Sequence, residues 1–237
     1  MKKLPLLNLW AAAVLGVPVV VNAALISETD PGDGGVPYRW TVFMNGLDSA
    51  SLARHVGAWS WEDESLFAPG GPTVGWTHNA DWVALSLDTA VLLTIRLERK
   101  ADVLYDVPAN LDPNKFAGNN LFPGMTLWKG WDNDGDSSHD FNNVGNVAWA
   151  EDLTYIAHQA PPTTGAVETR HVIERTFELA PGEYTFVLGG KSQSTVSEGR
   201  QGYNATFTTT AVPEPGTAML AMVGAALCAF RRPRRMK

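Results

Sequence analysis

Val172-Ile173-Glu174-Arg175-Thr176-Phe177-Glu178-Leu179, followed by Ala180-Pro181-Gly182-Glu183 and then Tyr184-Thr185-Phe186-Val187-Leu188, is the most regular stretch of the chain. Val172, Glu174, Thr176 and Glu178 fall on one side of an extended backbone, and Ile173, Arg175, Phe177 and Leu179 on the other. A side-chain period of two marks a strand. Pro181-Gly182 suits the centre of a type II turn, because proline presets φ at the first central position and glycine accepts a positive φ at the second. The stretch therefore predicts two strands and a turn.

Working outward, similar runs recur. Residues 39–44 alternate, residues 82–87 and 91–98 flank the hairpin-length break Asp88-Thr89-Ala90, residues 125–129 are short and apolar, and residues 204–210 are rich in threonine. Residues 50–56 read as one short helical turn. No segment carries a long helical apolar period, and no repeat of fixed length recurs. Many short strands at modest spacing predict an all-β fold, an antiparallel β-sandwich or jelly roll.

The two ends read as addresses. Lys2 and Lys3 precede the mostly apolar residues 4–21, and Val21-Asn22-Ala23 places small residues for cleavage before Ala24. Residues 1–23 are thus an expected signal peptide read by the Sec export machinery. At the other end Pro213-Glu214-Pro215 precedes the apolar residues 217–230, then Arg231, Arg232, Arg234, Arg235 and Lys237. A helix of that length covers roughly 21 Å, short of the roughly 30 Å hydrocarbon core, so the expected insertion is a short transmembrane sorting helix. The cations would stay cytoplasmic and leave the body outside. The expected body is residues 24–211, with residues 212–237 as the tail.

This tail resembles the PEP-CTERM sorting signal of Gram-negative, exopolysaccharide-producing bacteria in its order of motif, apolar helix and basic stop. The resemblance implies recognition by an exosortase, a membrane cysteine transpeptidase-like enzyme. It also implies transient insertion in the inner membrane, and tail removal on the way to the cell surface or extracellular matrix. Pro213, Glu214 and Pro215 would then be read by another enzyme. About residues 80–210 also resemble the bacterial pre-peptidase C-terminal domain, a jelly-roll module. The likeness runs through Asp81-Trp82-Val83-Ala84-Leu85, Leu92-Leu93-Thr94-Ile95, Met125-Thr126-Leu127-Trp128, Leu179–Val187 and Gly202-Tyr203-Asn204-Ala205, with residues 101–123 as an insertion.

Charge and cysteine bound what the body does. Seven of the 18 lysines and arginines and one of the 25 acidic residues lie in the two end segments. That leaves 11 cations against 24 acids, a formal charge of −13. Such a surface repels phosphate backbones, which excludes nucleic acid as a partner, and it favours cations. The single cysteine, Cys228, is in the tail, so the body has no disulfide and no thiolate nucleophile.

Three kinds of site are readable. In Trp131-Asp132-Asn133-Asp134-Gly135-Asp136-Ser137-Ser138-His139-Asp140, the carboxylates Asp132, Asp134, Asp136 and Asp140 stand at positions 1, 3, 5 and 9 of a calcium-loop pattern. Alternate carboxylates can converge on one hard cation where glycine lets the chain curl. Ser137 replaces the usual glycine and Asn143 the bidentate glutamate, so a β-sandwich Ca2+ loop fits better than an EF-hand. The alternative is a solvated acidic turn. Trp59 and Trp61, two apart, would share one face of a strand and could stack on the sugars of an extracellular polysaccharide, whereas most tryptophans, Trp128 among them, read as core. For catalysis there is little. The five histidines are scattered, and no nucleophile elbow, zinc-protease motif or phosphate loop is present. Glu62-Asp63-Glu64 and Glu151-Asp152 offer carboxylates, as nearly any acidic domain does. The sequence therefore predicts an exported, non-enzymatic structural or adhesive protein. A glycan-binding module is the alternative, and a polysaccharide-modifying enzyme the least favoured reading.

Overall fold

The computed structural model describes residues 22–28, 36, 38–61, 80–104, 116–132, 152–162, 164–192 and 199–212. The expected signal peptide but for its last residues, the motif Pro213-Glu214-Pro215 and the stop residues Arg231, Arg232, Arg234 and Arg235 lie outside them.

Among the described residues eleven strands form two sheets. In chain order they are β1 (Asn22–Ala23), β2 (Leu25–Ser27), β3 (Tyr38–Met44), β4 (Asp48–Gly57), β5 (Asp81–Leu87) and β6 (Val91–Arg99), then β7 (Leu121–Lys129), β8 (Thr154–Gln159), β9 (Val172–Leu179), β10 (Gly182–Ser192) and β11 (Arg200–Ala211). A short 3-10 turn, Val167–His171, leads into β9. One sheet has the order β1-β4-β11-β6-β9, the other β2-β3-β5-β10-β7-β8. Pairing is antiparallel except for β1 with β4 and β3 with β5, which are parallel. The fold is an all-β sandwich, as expected.

Two short breaks do different work from the one their length suggests. Asp88-Thr89-Ala90 joins β5 and β6, which lie in opposite sheets, so the expected hairpin is a corner of the sandwich. Pro181-Gly182 likewise hands the chain from β9 across to β10, with Gly182 at φ +143°. The reason is burial. Val83, Leu85 and Leu87 of β5 and Val91, Leu93, Ile95 and Leu97 of β6 must face each other across one core, which places them in facing sheets. Residues 50–56 are a second correction. They lie within β4 and pair with β11 over Gly57 to Ser49, and Ala50, Leu52 and Val56 enter the core. The helix preference of alanine and leucine is weak beside a ladder and a buried face.

Phe186, packed edge-on against both Phe177 and Phe207, stands at the centre of the core between the sheets. A second apolar layer covers the outer face of the six-stranded sheet: Val36, Tyr38, Trp61, Trp82, Ala84, Trp128, Leu153 and Val187. β5, β7 and β10 are therefore buried on both faces, which is why residues 82–87 and 125–128 read as apolar runs without alternation.

Candidate functional site

The segment after β4 runs beside the end of β10. Ser60 and Trp61 donate their backbone N–H groups to Gly190 O at 2.9 and 3.1 Å, and Ser192 donates to Ala58 O at 2.7 Å. So close an approach needs glycine opposite: a Cβ on Gly189 would stand 2.7 Å from Ser60 O. Trp61 then lies flat over Gly124, where a Cβ would stand 2.7 Å from the indole, and donates its Nε1–H to Thr126 Oγ1 at 3.0 Å. It is 1% exposed. The expected pair of rings on one outward face is thus corrected: Trp61 belongs to the buried outer layer. Trp59 is half-buried, bridged to Lys191 in the backbone, with the Lys191 ammonium 4.5 Å from its ring centroid. Trp82 and Trp128 stack with centroids 5.6 Å apart, also buried.

Of the four expected calcium ligands, Asp132 is described and Asp134, Asp136 and Asp140 lie outside the described residues. Asp132 is 0% exposed. Its Oδ2 accepts the Val36 N–H at 2.8 Å, and its own N–H donates to the Tyr38 hydroxyl at 2.8 Å. Asp132 therefore anchors the start of the acidic loop to the strand entry at Val36–Tyr38. Among the described residues no three of His, Cys, Asp and Glu gather where they could hold a metal ion.

A polar chain crosses the sandwich from Asp81 to Tyr203 and Trp40. Asp81 opens β5 in one sheet, and Tyr203 is fully buried on β11 of the other. The Tyr203 hydroxyl donates to Asp81 Oδ2 at 2.7 Å and accepts the Trp40 Nε1–H at 3.2 Å. Arg54 Nε stands 4.0 Å from Asp81 Oδ2, at the outer limit of an ion pair. Burial pushes the Asp81 carboxyl up from 3.8 to about 7, opposed by the Tyr203 hydrogen bond and the charges of Arg39 and Arg200. Burial, then the facing carboxylate, pushes the Tyr203 hydroxyl well above its ordinary 10.0. Nothing in the sequence marked Asp81, because its partner is distant in the chain and its burial arises only when the sheets close.

His171 is buried against Phe122, with ring centroids 4.8 Å apart, and its Nδ1 is 2.7 Å from Leu121 O. Burial lowers its pKa from the ordinary 6.5, opposed by the contact with Leu121 O.

Residues 211–235 match the PEP-CTERM protein-sorting motif, the segment beginning at the last residue of β11. No curated protein matches the chain. Three solved structures align over much of its length. The copper-binding surface protein CorA of Methylomicrobium album BG8 is 13% identical, covers 71% of this chain and 98% of its own, and gives a TM-score of 0.39. The pre-peptidase C-terminal domain of collagenase from Bacillus anthracis is 11% identical, with 75% and 100% covered and a TM-score of 0.31. The secreted protein MopE of Methylococcus capsulatus, whose copper binding is facilitated by an oxidised tryptophan, is 13% identical, with 81% and 99% covered and a TM-score of 0.40.

Proposed function

We propose that the chain is an exported, non-enzymatic β-sandwich protein that exosortase sorts to the surface of a Gram-negative cell, where the body has a structural or adhesive role. One observation carries this reading: the sorting motif at residues 211–235 follows directly on a folded sandwich. The body's formal charge of −13 suits an external surface in contact with cations and hydrated polymer. The non-enzymatic part is supported by Asp81, a carboxyl that burial shifts towards neutrality, whose hydroxyl partner Tyr203 is buried between the sheets and out of reach of a substrate. The glycan-binding alternative has lost one of its two rings to the buried layer. A bound Ca2+ would draw on Asp134, Asp136 and Asp140 in the loop that Asp132 anchors.

The test is fractionation of the producing cell. The full chain should appear outside the inner membrane without its tail. A version ending at Ala211 should be exported but fail to reach the surface fraction. Finding both versions in the same compartment would refute the reading.

A further inference from the structure

β11 stays in the ladder to its last residue. Thr210 pairs with Leu92 and Ala211 with Val91, which is the first residue of β6. The other side of β11 is released earlier, since its pairing with β4 ends at Thr208 opposite Ser49. The ladder with β6 ends at Ala211, and the sequence two residues on is Pro213, a residue type with no N–H to give a sheet. Only Val212 separates the sheet from Pro213-Glu214-Pro215.

Between the two-sided and one-sided parts stands Thr209. Its side chain is buried, and its hydroxyl accepts the Asp48 N–H at 2.9 Å and donates to Asn45 O at 2.6 Å. It therefore ties β11 to the turn between β3 and β4. Thr210 and Ala211 beyond it are exposed and held on one side only. An enzyme that acts on a peptide bond needs the chain unpaired, so its rate follows the population of the opened form. From Thr209 to Pro213 is about 13 Å of extended chain, roughly four residues.

We propose that the folded sandwich limits the processing of its own tail: Thr209 is the pin that sets how far β11 peels from the sheet, and so how much free chain the sorting enzyme can grip ahead of Pro213-Glu214-Pro215. This rests on the reading that the motif is processed. In that step one peptide bond near the motif breaks. Its carbonyl passes to the enzyme's thiol, the tail leaves with the freed amine, and water or an acceptor nucleophile then releases the body.

The experiment is a pulse–chase of the full chain in the producing cell, with tail loss followed by mass. Four versions are compared: the natural chain, Thr209→Val, a six-residue Gly/Ser insert after Val212, and Gly124→Ala as a remote destabilised control. Losing one or two hydrogen bonds of the pin should raise the opened population, and the rate of tail loss, roughly 5- to 30-fold. The insert should raise it at least as far without touching the fold, and Gly124→Ala should leave it unchanged. Equal rates for the natural chain and the insert would overturn the proposal. So would a gain in Gly124→Ala matching that in Thr209→Val, because global unfolding would then explain both. Retention of the tail in all four versions would refute the processing reading itself, and the proposal with it.

Discussion

Replacing Asp81 with asparagine should make the protein more stable at neutral and alkaline pH. The unfolded carboxyl titrates near 3.8 and the folded one near 7, raised first of all by burial. Below pH 3.8 both states hold the proton. Between 3.8 and about 7 only the folded state holds it, so folding takes up a proton and stability falls as pH rises. Above about 7 neither state holds it and the loss is complete. At about 1.36 kcal/mol for each pH unit, the window amounts to at most about 4 kcal/mol. Asparagine keeps the shape and can still accept the Tyr203 hydrogen bond, but it does not titrate. The two proteins should therefore have similar stability near pH 4 and separate progressively until about pH 7, with Asp81→Asn the more stable. For a body of this size the gap corresponds to roughly 8–16 °C in melting temperature. Urea unfolding at pH 4, 5, 6, 7 and 8 reads it directly, because charges shared by both proteins cancel in the difference. Glu28, Arg39, Arg54 and Arg200 are the common charged neighbours. Parallel stability curves for the two proteins would refute the argument.

Gly124→Ala places a Cβ 2.7 Å from the Trp61 ring and should cost about 1–3 kcal/mol by overpacking, with a red shift in tryptophan emission as the indole lifts from the sheet. An unchanged melting temperature would mean that Trp61 does not lie where the structure puts it. If the acidic loop binds Ca2+, calcium should raise the melting temperature of the natural protein, and Asp134→Ala with Asp136→Ala should abolish the rise. A rise that survives both changes would exclude the loop.

The sequence was most legible where local pattern and burial agree. β9 has the bounds its alternation predicts, because one of its faces meets the core and the other carries Glu174 and Glu178 outward. It was least legible where three-dimensional closure decides. A three-residue break has the same length whether it joins neighbours in one sheet or turns the corner to the facing one, so Asp88-Thr89-Ala90 was misread. The spacing of Trp59 and Trp61 was sound for a continuous strand, but β4 ends at Gly57 and both rings lie beyond it. The signal that would have found the truth is Gly124, together with Gly189. These two glycines in otherwise strong strands mark places where a ring or another backbone lies flat on the sheet.

Those glycines also bear on how a chain whose one cysteine is Cys228 holds together without an internal disulfide. Each ordered residue costs about 1–2 kcal/mol of backbone entropy, so an outer covering is favourable only if few residues bury much surface. Tryptophan and tyrosine do this best, at 150–250 Å² each. Trp61, Trp82, Trp128 and Tyr38 supply the large side chains of the second layer. The Trp61 and Tyr38 polar atoms are met by Thr126 and Thr185, hydroxyls on β7 and β10 of the six-stranded sheet. Among the described residues, packing thus accounts for Trp40, Trp61, Trp82 and Trp128. Gly124 beneath and Thr126 beside the Trp61 ring let a short piece of loop seal the sheet face beside the strand residues Trp82 and Trp128. A surface role has to be sought in groups that this layer leaves free, and in the end of the sandwich from which the sorting motif emerges.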